Sequence, residues 1–65
     1  MVHKNIKVPR NQIVQELLCD ENDNILQVVT SDEFRRKFFL YNADKDGTLT
    51  KVETGDSPIF DKKVF

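Results

Sequence analysis

The chain is poor in the residues that many catalytic and metal centres require. It has one cysteine, Cys19, so no disulfide can close within it and no paired-cysteine zinc motif can form. It has one histidine, His3, which leaves no second imidazole for a metal pair or a triad. No glycine-rich phosphate loop and no nucleophile motif is present. No apolar run is long enough for a signal peptide or a membrane span, which predicts a soluble, cytoplasmic protein with no membrane partner. The single unpaired thiol suits the same reducing compartment.

Charge of one sign is also missing. Ten Lys and Arg stand against eleven Asp and Glu, a net charge of −1, whereas a general nucleic-acid binder carries a basic excess. Length sets a further limit. A chain of 65 residues makes one domain at most and buries only about 60% of the surface its unfolded form exposes. A deep pocket with an acid–base pair demands more chain than this, so an enzyme is not expected.

What is present is globular in character: 38% of residues are apolar and 32% charged. In HKNIKV, Ile6 and Val8 alternate with polar neighbours, the pattern of a short edge strand that Pro9 ends. Ile13, Val14, Leu17 and Leu18 then fall at i, i+1, i+4 and i+5, on one face of a helix over about 10–19. Pro9 suits a first-turn position there, and Gln12, Gln15 and Glu16 are good helix formers for the outer face. The run DENDN (20–24) breaks the helix, and ILQVVT (25–30) is β-branched and apolar, as in a strand.

Residues 31–41 read two ways. At helical period Phe34, Phe38 and Tyr41 share a face, with Thr30 and Glu33 at capping-box spacing. At period two, 36–43 is a strand dense in β-formers. TLTKVET (48–54) reads as a strand closed by Gly55 and Pro58, and 59–64 is an additional strand candidate. The segments 17–30 and 40–53 also echo each other without gaps at a spacing of 23, with Asn24 aligned to Gly47.

The stretch NADKDGTLTKVE, residues 42–53, carries the sharpest chemical signal. Together with Phe34, Phe38 and Tyr41 upstream, it resembles an EF-hand calcium loop of the calmodulin type. The resemblance covers residues 34–53 and implies a ligand set of Asn42, Asp44, Asp46, the Thr48 carbonyl, Thr50 and Glu53. Gly47 would take the bend, Leu49 would pack on the core, and calcium would be the cofactor. The Thr54-Gly55-Asp56-Ser57-Pro58 that follows leaves no room for an exiting helix.

The same residues also make a β-hairpin with no metal. Asp44-Lys45-Asp46-Gly47 suits a type I turn followed by Gly at positive φ. If Asp44 pairs with Thr48, Asn42 faces Thr50 and Leu40 faces Val52. The hairpin is the preferred reading.

The expected fold is therefore α+β: one helix over about 10–19 packed on a short antiparallel sheet of 25–30, 36–43 and 48–54, with 59–64 as a further candidate. In it the stripe Ile13, Val14, Leu17 and Leu18 is core, Cys19 is a small buried thiol, and His3 is exposed. The expected function is a small non-catalytic protein-interaction module, such as an inhibitor, an adaptor or a phage-type accessory protein. No cofactor is expected, with calcium binding at 42–53 as the alternative. Arg35, Arg36 and Lys37, together with Lys51, are the candidate interaction residues. The strand 48–54 is the candidate free edge, offering Thr48, Thr50 and Thr54 for pairing, with Lys51 and Glu53 guarding it.

Overall fold

Among the described residues four antiparallel strands follow one another along the chain and in space: β1 (Gln12–Cys19), β2 (Ile25–Asp32), β3 (Phe38–Ala43) and β4 (Leu49–Gly55). The computed structural model describes residues 6–58, so His3 and the strand candidate at 59–64 lie outside the described residues. Among the described residues there is no helix, and the architecture is an all-β meander rather than the α+β arrangement expected. Residues 6–8, read as part of an edge strand, are irregular.

The segment expected as a helix over 10–19 is β1, and a β-bulge explains why it looked helical. Val14 pairs with Thr30 and Glu16 with Val29, so Gln15 is an extra residue on β1. An inserted residue shifts the two-residue alternation of a strand by one. Val14 and Leu17 thereby share one face, and Ile13 and Leu18 the other. Apolar residues at i, i+1, i+4 and i+5 are thus the pattern of a bulged strand with apolar side chains on both faces. The stripe is not core: Ile13, Val14 and Leu17 are 44%, 40% and 40% exposed. Cys19, expected to be buried, is exposed on the same strand.

Burial concentrates on β2 and β3, the two strands with a neighbour on each side. The consecutive residues Val28, Val29, Thr30 and Ser31 are buried, so β2 is covered on both faces. One face packs Val29 against Phe38 and Leu40. The opposite face pairs Val28 with Tyr41 and Thr30 with Phe39. Full burial of an aliphatic or aromatic side chain of this size contributes about 1.5–3 kcal/mol.

The N-terminal segment adds cover. Lys7 N–H donates to the Gly47 carbonyl at 3.0 Å, at the end of the sheet where β3 turns into β4. Five residues later Gln12 is opposite Asp32, at the other end. Residues 7–12 therefore run the length of the sheet, with Ile6, Val8 and Pro9 half-buried.

Buried polar side chains are paired. Gln12 Oε1 accepts from Thr30 Oγ1 at 2.6 Å and from Tyr41 Oη at 2.8 Å, joining β1, β2 and β3 through one atom. Gln27 Nε2 donates to Asn42 Oδ1 at 2.9 Å, and Gln15 Nε2 donates to Ser31 Oγ at 2.8 Å. Among the described residues no buried side-chain polar atom lacks a partner.

The loops obey a fixed spacing. Asp20, Asp32 and Asp44 each follow or end a strand, and each carbonyl accepts the N–H three residues on, at 3.0–3.1 Å. The donors Asp23, Arg35 and Gly47 all have positive φ, at 64°, 58° and 91°. Asn11, twelve residues before Asp23, is also left-handed at φ 67° and lies within the turn closed by Gln12 N–H on the Pro9 carbonyl. One strand plus one loop thus occupies twelve residues.

The echo of 17–30 in 40–53 does correspond to two hairpins, but their loops match at a spacing of 24. Asp20 corresponds to Asp44, and Gly47 corresponds to Asp23 rather than to Asn24. In the second hairpin Asn42 faces Thr50 as expected, while Leu40 faces Glu53 because Val52 is an extra, bulged residue.

The shared acceptor at Gln12 is directly testable. Gln12→Ala leaves two hydroxyls without their partner and should cost about 1–3 kcal/mol, whereas Tyr41→Phe removes one donor and should cost about 1 kcal/mol. The double variant should lose less than the sum, because both changes remove the same bond. Urea denaturation of the four proteins measures this, and additive losses would show that the two bonds are independent.

Candidate functional site

Two poles of the sheet carry opposite charge, because loops of a meander alternate between its ends. The loops 20–24 and 44–48 share one end, and 33–37 lies at the other. The first pole holds Asp20, Glu21, Asp23, Asp44 and Asp46 with Lys45. The second holds Arg35, Arg36 and Lys37, with Arg10 in the turn that enters β1 and with Asp32, Glu33 and Asp56.

The basic pole is built on Asp32. Its Oδ1 accepts the backbone N–H of Arg36 at 2.7 Å and of Lys37 at 3.2 Å, which fixes the loop. Phe34 projects from the loop and is 72% exposed. The Arg36 guanidinium carbon lies 5.9 Å from the Phe34 ring centroid, within cation–π range.

Arg35 occupies the left-handed position at φ 58°. Asn11 and Asp23 tolerate that region, since short polar side chains can bond locally, but an ordinary side chain in it costs about 1–2 kcal/mol. Lys37 Nζ is 3.9 Å from Asp56 Oδ1, with both groups exposed. Lys51, grouped with these cations from the sequence, stands on β4 opposite Tyr41 with its Nζ 5.9 Å from the Phe39 ring centroid. The structure therefore gathers Arg35, Arg36 and Lys37 and leaves Lys51 apart.

At the acidic pole the two loops flank a cleft of about 280 Å³. Ile6, Ile25, Leu26 and Ala43 make its apolar lining, and Asp20, Asp23 and Asp44 stand around them. Asp20 is held ionised below the usual aspartate range, first by the N–H of Asn24 and then by the Asn24 side-chain amide. The bonds are 2.9 Å and 3.1 Å, with Asn22 N–H adding a third at 2.8 Å. Asp46 is lowered likewise, first by the Thr48 N–H, 3.1 Å away, then by the Thr48 hydroxyl, with the charge of Lys7 assisting.

The residues matched to a calcium loop are distributed over this hairpin. Asn42 lies on β3 with its Oδ1 taken by Gln27, and the Thr48 carbonyl accepts the Asp44 N–H at 2.9 Å. Asp46 Oδ1 is bonded to the Thr48 N–H. Thr50 and Glu53 are exposed on β4, and 34–41 is loop and strand. Among the described residues no group of three or more His, Cys, Asp or Glu side chains is placed to hold a metal ion.

Sequence reading found the basic run, placed Phe34 on a helix face in one of its two readings of 31–41, and read Asp20 and Asp23 as turn residues without assigning them to a site. The aspartates at 20, 32, 44 and 56 recur every twelve residues and were the available signal for loop positions. Comparison with family models, with curated proteins and with solved structures finds no match to any of them.

Two outcomes test the loops. Arg35→Gly removes the steric cost of the left-handed backbone but widens the freedom of the unfolded chain, and should stabilise the domain by about 0.5–1 kcal/mol, read as a higher Tm. A lower Tm would show that the Arg35 side chain is itself holding the loop. For Asp20 and Asp46, the folded pKa is below the unfolded one. Their stabilisation is present above about pH 4 and is lost as pH falls through the lower folded values. Tm should be flat down to about pH 5 and fall below about pH 4, and Asp20→Asn should make that fall shallower.

Proposed function

We propose that this chain is a non-catalytic protein-interaction module that binds an extended strand of another protein along the open edge of β1. One observation carries the reading. Among the described residues β1 pairs with β2 alone, and on this edge Ile13, Val14 and Leu17 are 40–44% exposed, distributed over both faces. A strand added there completes the row of backbone hydrogen bonds, and its alternate side chains cover the apolar residues on each face. The bulge at Gln15 narrows the choice of partner, because a bulged edge rejects indiscriminate pairing. The edge of β4 exposes one large apolar side chain, Val52 at 51%, among the polar Thr50, Lys51, Glu53 and Thr54, against three on β1.

A displayed library of short random peptides supplies a probe whose sequence is then known. Selected binders should be extended and alternately apolar, and on binding should slow amide exchange within 13–18. Val14→Lys should abolish binding while costing about 1 kcal/mol or less of stability, since the side chain is already half open to water. Binders that leave the exchange of 13–18 unchanged, or that bind Val14→Lys equally well, would refute the reading.

A further inference from the structure

The basic loop and the acidic cleft are complementary in charge, shape and polarity, and they lie at opposite ends of one molecule. Phe34 is the most exposed of the large apolar side chains among the described residues, and Arg35 and Arg36 follow it. The cleft offers an apolar lining of Ile6, Ile25, Leu26 and Ala43, bordered by Asp20, Asp23 and Asp44, three carboxylates against the single cation Lys45 that also lines it. A cavity of about 150 Å³ already holds benzene, so 280 Å³ takes a phenyl ring with room beside it for an arginine stem. We propose that the occupant of this cleft is the Phe34–Arg36 loop tip of a second copy of the chain, with the ring on the apolar lining and the guanidinium groups against the aspartates.

Because knob and cleft lie on different ends, the contact is head-to-tail. Joined end-on in this way, each added copy presents a new free tip and a new free cleft, whereas a wild-type assembly that stops at a dimer would point to an antiparallel pair and overturn the end-on contact. Two features of the loop accord with this role. Asp32 fixes the backbone of Arg36 and Lys37, so little order is lost on binding. Arg35 occupies a left-handed position where glycine would be less strained. The contact is independent of strand addition at β1 and involves neither Ile13, Val14 nor Leu17.

One loop tip buries a small area, so the association should be weak, with Kd on the order of 10⁻⁴ M at low salt. It should weaken severalfold between about 20 mM and 500 mM salt, as charges at a rim are screened. Sedimentation equilibrium over a concentration series should show growth beyond a dimer.

Phe34→Ala removes the knob and Asp44→Lys reverses charge at the cleft. Each should weaken self-association at least tenfold while leaving the amide spectrum of the sheet in place. Mixed together they should form a dimer that stops growing, because one protein retains a cleft and the other a tip. Arg36→Glu and Asp23→Asn serve as a second knob and cleft pair, the latter tolerating the left-handed backbone. A wild-type protein that stays monomeric at millimolar concentration in low salt would overturn the proposal. So would self-association unchanged by Phe34→Ala, or the failure of both variant pairs to complement.

Discussion

A sheet whose cover among the described residues is its own side chains and one irregular N-terminal segment has little to pack on both faces of its central strands. That constraint falls hardest on β2, where four consecutive residues from Val28 to Ser31 are buried and point alternately to opposite faces. Apolar contact meets it on the face of Val29, Phe38 and Leu40. The other face uses Val28 with Tyr41 and a polar device, the Gln12 oxygen shared by Thr30 and Tyr41. Thr30 and Ser31 are tolerated at full burial because each hydroxyl has a partner, and a buried hydroxyl without one costs more than the bond contributes. The edge strands then carry the cost of this arrangement. β1 gives its polar side chains to the centre and leaves Ile13, Val14 and Leu17 half in water.

Much of the sheet was legible from residue type, and the failures have specific causes. The strands near 25–30, 36–43 and 48–54 were found because β-branched and aromatic residues cluster between turn-forming ones. Gly47 was placed at positive φ because Asp-Gly at a hairpin tip leaves little choice. β1 was misread because the extra residue at Gln15 converts alternation into a pattern that fits a helix equally well. The same kind of insertion at Val52 shifted Leu40 from Val52 to Glu53. A bulge is invisible to any periodicity test that assumes one residue per step. The echo was set one residue short because Gly47 was matched to Asn24 on composition. The backbone assigns the left-handed position to Asp23, a choice that depends on where each turn starts.

The candidate sites were legible as residues but not as groupings. Arg35, Arg36 and Lys37 are adjacent in sequence and stay together in space. Lys51 was a candidate as a guard of the edge 48–54, and its strand holds it over Phe39, apart from them. The acidic cleft draws on residues more than twenty positions apart, so only the topology brings Asp20 and Asp23 beside Asp44. Phe34 could be recognised as exposed only after the segment was known to be a loop, where its ring has no neighbouring turn of helix to pack on.

The twelve-residue spacing has a consequence for how such a chain can change length. Each strand-and-loop unit reverses direction, so the end of the sheet to which a loop belongs depends on whether its unit is odd or even in order. Losing or gaining one unit within the meander would send every later loop to the opposite end, mixing acidic with basic tips and dissolving the segregation of charge. Losing or gaining two would leave it intact. The polarity of the molecule is therefore a parity property of the chain, preserved by changes in steps of 24 residues and destroyed by steps of twelve.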